Sequence, residues 1–198
     1  MMTPRLGNPY PAQEWSVRTG QIADAERLAR INVAAWRHAY VGLVPDRALA
    51  DLDPTVIAET YRDRLAQAQS GAAIVVAHHG DTAGAFASVG PVREPSHDSS
   101  PFESTGELTA LYADPTVAGT GAGHAAHEAG LGYLADQGYT HVILWALRDN
   151  LPALRFYRTH GWSPDSVARD ADIAGCAVPL VRWSRPCPER PTTLCPSQ

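Results

Sequence analysis

The sequence predicts an α+β domain in which helices pack on a single mixed β-sheet. Three observations carry that expectation. Strand-like and helix-like periodicities interleave along the chain in the order β, α, α, β, β, β, α, β, α, β. The strand-like run GELTALYA passes through a Gly-rich turn, Pro115 to His124, into an Ala-rich segment of helical character. The run THVILWAL is apolar at almost every position, as a strand buried on both faces in the middle of a sheet must be.

Residues 1 to 14 hold three prolines and a glycine without periodicity and are expected to be a flexible arm. Trp15 to Arg18 suits a short first strand. Asp24 then reads as an N-cap, and Leu28, Ile31 and Ala35 recur at helical spacing up to about Tyr40. Gly42 and Pro45 interrupt the chain. Asp53-Pro54 restarts it as a cap and first-turn proline, with Ile57, Tyr61 and Leu65 on one face of a helix over about 54 to 68. AAIVVAHH and AGAFASVG, joined at Gly80-Asp81, read as a β-hairpin.

Residues 92 to 105, rich in Pro, Ser, Asp and Glu, are expected to form an exposed loop. A strand over about 106 to 113 follows. After the Gly-rich turn a helix runs to about Gln137, where Gly138 closes it. Beyond THVILWAL, Asp149-Asn150 caps a short helix through about Thr159, which Gly161-Trp162 ends. Ser163 to Gly175 reads as a polar loop and CAVPLVRWS as the last strand. One domain is expected over residues 15 to 185, followed by a Pro-rich, disordered tail at 186 to 198.

Composition excludes several classes of function. A 44% hydrophobic and 19% charged makeup is that of a soluble globular protein. No apolar run nears the roughly 18 residues of a membrane span, and the N-terminal stretch lacks the apolar core of a secretory signal, so a cytoplasmic location is expected. Cys176, Cys187 and Cys195 form no CxxC pair, which indicates free thiols and neither a disulfide framework nor a zinc site. A net charge of -5 argues against non-specific nucleic-acid binding. All 16 basic residues are arginine. Without lysine there is neither a Walker-type phosphate loop nor a pyridoxal Schiff base.

Glycines at 119, 121 and 123 let backbone N–H groups approach an anion, and the helix that follows directs its positive N-terminal dipole at the same point. A pyrophosphate fits such a cradle. The spacing is not the GxGxxG of a dinucleotide fold. His124 and His127 stand one helical turn apart with no third ligand in view, so no metal is expected.

A strand ending in LYADP, the turn AxxGxG, a helix, the strand LWAL, Asn150 and the block RFYRTHGW together resemble the GNAT superfamily of acetyl-CoA-dependent N-acyltransferases. The resemblance covers most of the chain. It implies a sheet splayed between its fourth and fifth strands, with the cofactor's pantetheine arm in the opening, and transfer of acetyl from acetyl-CoA to a primary amine without a covalent enzyme intermediate. Implied cofactor contacts are Leu111, Tyr112 and Ala113 on the strand, Ala118, Gly119, Thr120, Gly121, Ala122, Gly123 and His124 in the turn, and Asn150 and Tyr157 beyond it. Two positions depart from the family's pattern. Ala118 stands where Arg or Gln is usual and Thr120 where a basic residue is frequent, so phosphate binding is expected to rest on backbone N–H groups.

An ammonium of pKa near 10 must lose a proton before attack, and the departing thiolate must gain one. Glu107, at the position matching the family's frequent catalytic glutamate, is the candidate base acting through water, with a solvent path as the alternative. Tyr157 is the candidate acid. Trp36, Tyr40 and Asp46 are expected on the acceptor side, and acidic groups there such as Asp46 and Asp165 suit a cationic acceptor. The expected partners are acetyl-CoA and an amine, either a small molecule or a protein N-terminus, with homodimerisation open and neither nucleic acid nor membrane. A non-catalytic acyl-CoA-binding module of the same fold is the alternative function.

Overall fold

The computed structural model describes residues 14–67, 71–93 and 104–188. Seven strands form one sheet: β1 (Ser16–Thr19), β2 (Ala73–His79), β3 (Thr82–Pro91), β4 (Thr105–Ala113), β5 (His141–Leu147), β6 (Ser163–Ile173) and β7 (Cys176–Pro186), in the order β1-β2-β3-β4-β5-β7-β6. Every neighbouring pair is antiparallel except β4 and β5. The described residues also form five α-helices: α1 (Ala25–Ala39), α2 (Asp46–Ala50), α3 (Pro54–Ala66), α4 (Ala122–Asp136) and α5 (Leu151–Thr159).

The sheet lies between two helical layers because its alternate side chains feed two cores. Val75, Ala87, Val89, Leu108, Val142 and Leu144 pack with Leu131 and Leu134 of α4 on one face. On the other, Ile74, Val76 and Phe86 meet Leu28 and Ile31 of α1 and Tyr61 of α3. The Ala- and Gly-rich composition of α4 permits close approach to the sheet: a Cβ on Gly130 would come within 3.1 Å of Val89 and 3.2 Å of Ala87.

The parallel pairing of β4 with β5 stops early. Thr105 to Leu108 pair with His141 to Leu144, and beyond that register the strands part, leaving Thr109 to Ala113 and Trp145 to Leu147 without each other as partners. A bulge contributes to the divergence. Ser88 and Val89 of β3 face Ala110 and Leu108 of β4, so Thr109 is an extra residue, and extra residues bend a strand.

Most of the expected elements are present, including the hairpin and the Asp53 cap, whose carboxylate accepts from the Thr55 N–H at 2.7 Å. Three local expectations need correction. Ser163 to Gly175 is not a loop: residues up to Ile173 form β6, joined to β7 by Ala174-Gly175, both at positive φ (51° and 73°) as a primed hairpin turn requires. Its Pro, Ser and Asp residues are tolerated because it is an edge strand with a bulge at Ser166 (φ 67°). The segment after Pro45 contains α2, and Arg47 of that helix donates to the Ala174 carbonyl. Asp24 stands at the N-cap of α1 as expected, but its side chain makes no cap bond there: it pairs with Arg18 through two 2.7 Å bonds and accepts from the Gln21 N–H. Residues 1–13 of the arm expected at 1–14, most of the 92–105 loop and residues 189–198 of the tail expected at 186–198 lie outside the described residues.

Candidate active site

Where β4 and β5 part, a groove of about 250 Å³ opens. Leu111, Tyr112 and Ala113 form one wall; Trp145, Ala146 and Leu147 form the other. Ala118 and Pro115 border one part of it, Asn150 and Tyr157 of the α5 region another, and Tyr40 of α1 a third. Polar backbone groups on two unpaired strand edges thus border the same slot.

The Gly-rich turn continues from the groove. Gly121 has φ 98°, a conformation that strains any residue with a side chain, and α4 begins at the next residue. The first helical bond runs from the Ala125 N–H to the Gly121 carbonyl, so the N–H groups of Ala122, Gly123 and His124 have no acceptor within the helix. The turn is braced from behind. The indole N–H of Trp15 donates to the Thr120 carbonyl and hydroxyl, each at 3.2 Å, and the Thr120 hydroxyl donates to the Val117 carbonyl at 2.7 Å.

Asp114 anchors the other end of the turn, accepting from the Thr116 N–H and hydroxyl and from Arg27 at 2.8 Å. Burial opposes its charge, but the bonds from Thr116 and the Arg27 guanidinium outweigh burial and hold its carboxyl below the usual range.

Phenols dominate the inner end of the groove. The Trp36 indole donates to the Tyr112 hydroxyl at 2.9 Å, and Tyr40 is hydrogen-bonded to the same oxygen. Burial pushes the pKa of Tyr40, Tyr112 and Tyr157 upward, so all three stay neutral across the physiological range. The Tyr157 hydroxyl makes no hydrogen bond to another described residue. It is therefore a protonated group with an unused donor beside a slot.

The sequence-derived candidates do not all meet in one place. Leu111, Tyr112, Ala113, Ala118, Asn150, Tyr157 and Tyr40 border the groove, and Trp36 stands behind Tyr112. Asn150 also caps α5, accepting from the Ala153 N–H at 3.3 Å. Asp46, exposed at the start of α2, is not among the groove's walls. Glu107 is 3% exposed and lies outside the groove; its two oxygens accept from the Arg93 backbone N–H at 3.0 Å and the Arg93 guanidinium at 3.1 Å.

His124 and His127 are occupied by neighbours. His160 gives its Nδ1–H to the Phe156 carbonyl at 2.7 Å, which leaves Nε2 to accept from His124 Nδ1 at 2.9 Å. His127 Nε2 accepts from the Trp162 indole at 2.8 Å, and Nδ1 faces Glu128. Burial is the main reason that the His127 pKa falls to about 4. Among the described residues no group of three or more His, Cys, Asp or Glu is placed to hold a metal.

Four participants escaped the sequence reading: Trp15, Arg27, Arg93 and Trp145. The first two reach the turn from 105 and 87 residues away, and no local pattern announces such contacts. Trp145 was visible only as part of an apolar strand.

Residues 34–162 match the acetyltransferase (GNAT) family. A relative, the uncharacterized N-acetyltransferase YuaI of Bacillus subtilis, is 29% identical over 167 residues, 84% of this chain and 90% of its own length. Among solved structures, the PaiA N-acetyltransferase of Thermoplasma acidophilum in complex with coenzyme A superimposes with a TM-score of 0.68 at 17% identity, covering 88% of this chain and 99% of that one. YncA of Salmonella typhimurium, solved with its cofactor acetyl-CoA, gives 0.64 at 18% identity over 91% and 99%.

Proposed function

The chain belongs to the acetyltransferase (GNAT) family, and from that premise we propose that it transfers acetyl from acetyl-CoA directly to a primary amine. The observation that carries the proposal is the groove between the parted ends of β4 and β5, with a helix N-terminus behind its Gly-rich turn and a protonated phenol on its wall. Solved neighbours of the same fold contain coenzyme A or acetyl-CoA.

The pyrophosphate is assigned to the N–H groups of Ala122, Gly123 and His124, with Gly119, Thr120 and Gly121 shaping the turn around it. The free edge of β4 at Leu111 to Ala113 pairs with the amides of the pantetheine arm as an added strand would, and Asn150 contacts the arm from the far wall. Attack of the amine nitrogen on the thioester carbonyl forms the C–N bond and breaks the C–S bond. Tyr157 gives its proton to the departing thiolate, while the proton of the amine leaves through water toward Glu107 or to solvent. A neutral phenol with an unused donor suits that task.

Acetyl-CoA-dependent release of free thiol across an amine panel tests the assignment. Release with at least one amine, together with the acetylated product by mass, is the expected result. Saturable acetyl-CoA binding without release from any amine would instead support a non-catalytic acyl-CoA-binding module. Ala118 and the Arg93 contacts that occupy Glu107 are the features that favour that second reading.

A further inference from the structure

Acetyl transfer needs a group that takes a proton from the incoming ammonium, and the walls of the groove carry few candidates. Their ionisable side chains are His38, Tyr40, Tyr112, Asp114 and Tyr157. Burial pushes the pKa of the three phenols upward, and a neutral phenol gives a proton more readily than it takes one. Asp114 is tied into the turn by Thr116 and Arg27, which hold its carboxyl below the usual range. Among these side chains His38 remains.

Glu107 is poorly placed for the task. It borders a different cavity, of about 230 Å³, together with Arg93, Trp145 and Arg169. Trp145 is the wall which that cavity shares with the groove, and the Arg169 guanidinium lies 4.2 Å over its ring. Both oxygens of Glu107 already accept from Arg93, so a proton arriving there would face donors. His38 meets neither obstacle. Ala35, His38 and Ala39 recur at i, i+3 and i+4 and turn one face of the end of α1 to the groove. Arg37 beside it is engaged elsewhere, donating to the Leu49 and Leu52 carbonyls. The His38 side chain is exposed where it borders the groove and is hydrogen-bonded to no other described residue. A neutral imidazole offers one ring nitrogen as acceptor, and contact with solvent lets the proton move on.

We propose that His38 is the general base of the transfer, taking the proton of the amine directly or through one water and passing it to solvent. The inference rests on the acetyl-transfer assignment and selects between its two proton routes: solvent by way of His38, not Glu107. An N–H bond of the ammonium breaks and its proton joins a ring nitrogen of His38, while the freed electron pair attacks the thioester carbonyl. As the C–S bond breaks, the thiolate takes the Tyr157 proton, and the second proton of the nitrogen restores the phenol through water. The imidazolium then loses its proton to solvent, so that one proton is released for each amide formed.

The experiment follows thiol release from acetyl-CoA against pH, with whichever acceptor the full chain turns over best among L-amino acids, spermidine, phenethylamine and a peptide with a free N-terminus. For the unaltered chain, kcat/KM for the amine should rise through the range in which imidazoles titrate, about pH 6 to 7, and then level. His38→Gln should lower kcat by about 100-fold near neutral pH and leave the acetyl-CoA KM within about twofold. Its profile should lose the plateau and climb instead toward the amine's own pKa near 10. A His38→Gln profile that keeps the rise and plateau of the unaltered chain overturns the inference, whatever happens to kcat, and leaves acetyl transfer standing. Should His38→Gln fail to fold, His38→Ala assayed with and without added imidazole is the second variant: restored turnover supports the base role, and turnover that imidazole does not raise overturns it. Thiol release from no amine, with acetyl-CoA bound, overturns both the inference and the assignment beneath it.

Discussion

Tyr157 shows what one residue contributes when its surroundings are taken into account. Its hydroxyl is bonded to no described residue, so replacing it with hydrogen removes a proton donor and no structural contact. General acids contribute about 100-fold or more to turnover, and Tyr157→Phe should lower kcat by roughly that factor. The KM for acetyl-CoA should move by less than about twofold and the melting temperature by less than about 1 °C, because the ring still packs against Trp162 and Phe156. Steady-state kinetics and a thermal melt check both halves; an unchanged kcat removes Tyr157 from the acid role. At this scale the sequence was only partly legible. Tyr157 and Asn150 stand out within a short block beside a helix start. The Arg93 contacts that enclose Glu107 span 14 residues across a bulged strand pair, and periodicity carries no information about them.

Among the elements, α4 carries the turn that faces the groove, and its two interior glycines pose different problems. Gly130 lies against the sheet, where an added methyl would press on Val89 and Ala87, and the Ala87 methyl has no side-chain torsion by which to move away. Gly130→Ala should therefore cost about 1–2 kcal/mol by overpacking. A methyl on Gly132 would meet nothing within 4 Å. Gly132→Ala should stabilise by about 0.5–1 kcal/mol, since alanine restricts the unfolded chain and favours helix. Urea denaturation of the two variants distinguishes them, and equal signs would mean that α4 does not pack on β3 as described. The same contrast explains what could be read of the elements. Long amphipathic helices and the Gly80-Asp81 hairpin declare themselves through period and turn chemistry. The edge strand β6 does not: with solvent on one side its composition is free to be polar, and its turn uses Ala174 at positive φ where glycine or asparagine would have signalled a hairpin.

At the scale of the whole molecule, the groove is a gap in the sheet that acetyl-CoA would close. Within the sheet, and among the described residues, strands β1 to β4 meet strands β5 to β7 at four register pairs, Thr105 to Leu108 with His141 to Leu144. A ligand that bonds the edge of β4, the start of α4 and Asn150 at once links both halves, and it binds the folded state alone. At a concentration about 100 times Kd such a ligand adds roughly 2.7 kcal/mol of stability. For a chain of 198 residues each kcal/mol is worth about 2–4 °C, so the melting temperature should rise by about 5–11 °C with saturating acetyl-CoA. In the proposed assignment Ala118 and Thr120 offer no charge to the pyrophosphate and the anchoring falls on backbone N–H groups, which salt would screen less than it screens exposed arginines. The shift should accordingly survive an increase in ionic strength from 0.05 to about 0.5 M with less than half of it lost. Differential scanning fluorimetry at the two salt concentrations measures it. An unchanged melting temperature at low salt would show that acetyl-CoA does not bridge the two halves, and a shift abolished by salt would transfer the anchoring to Arg148, Arg155 and Arg158 around α5.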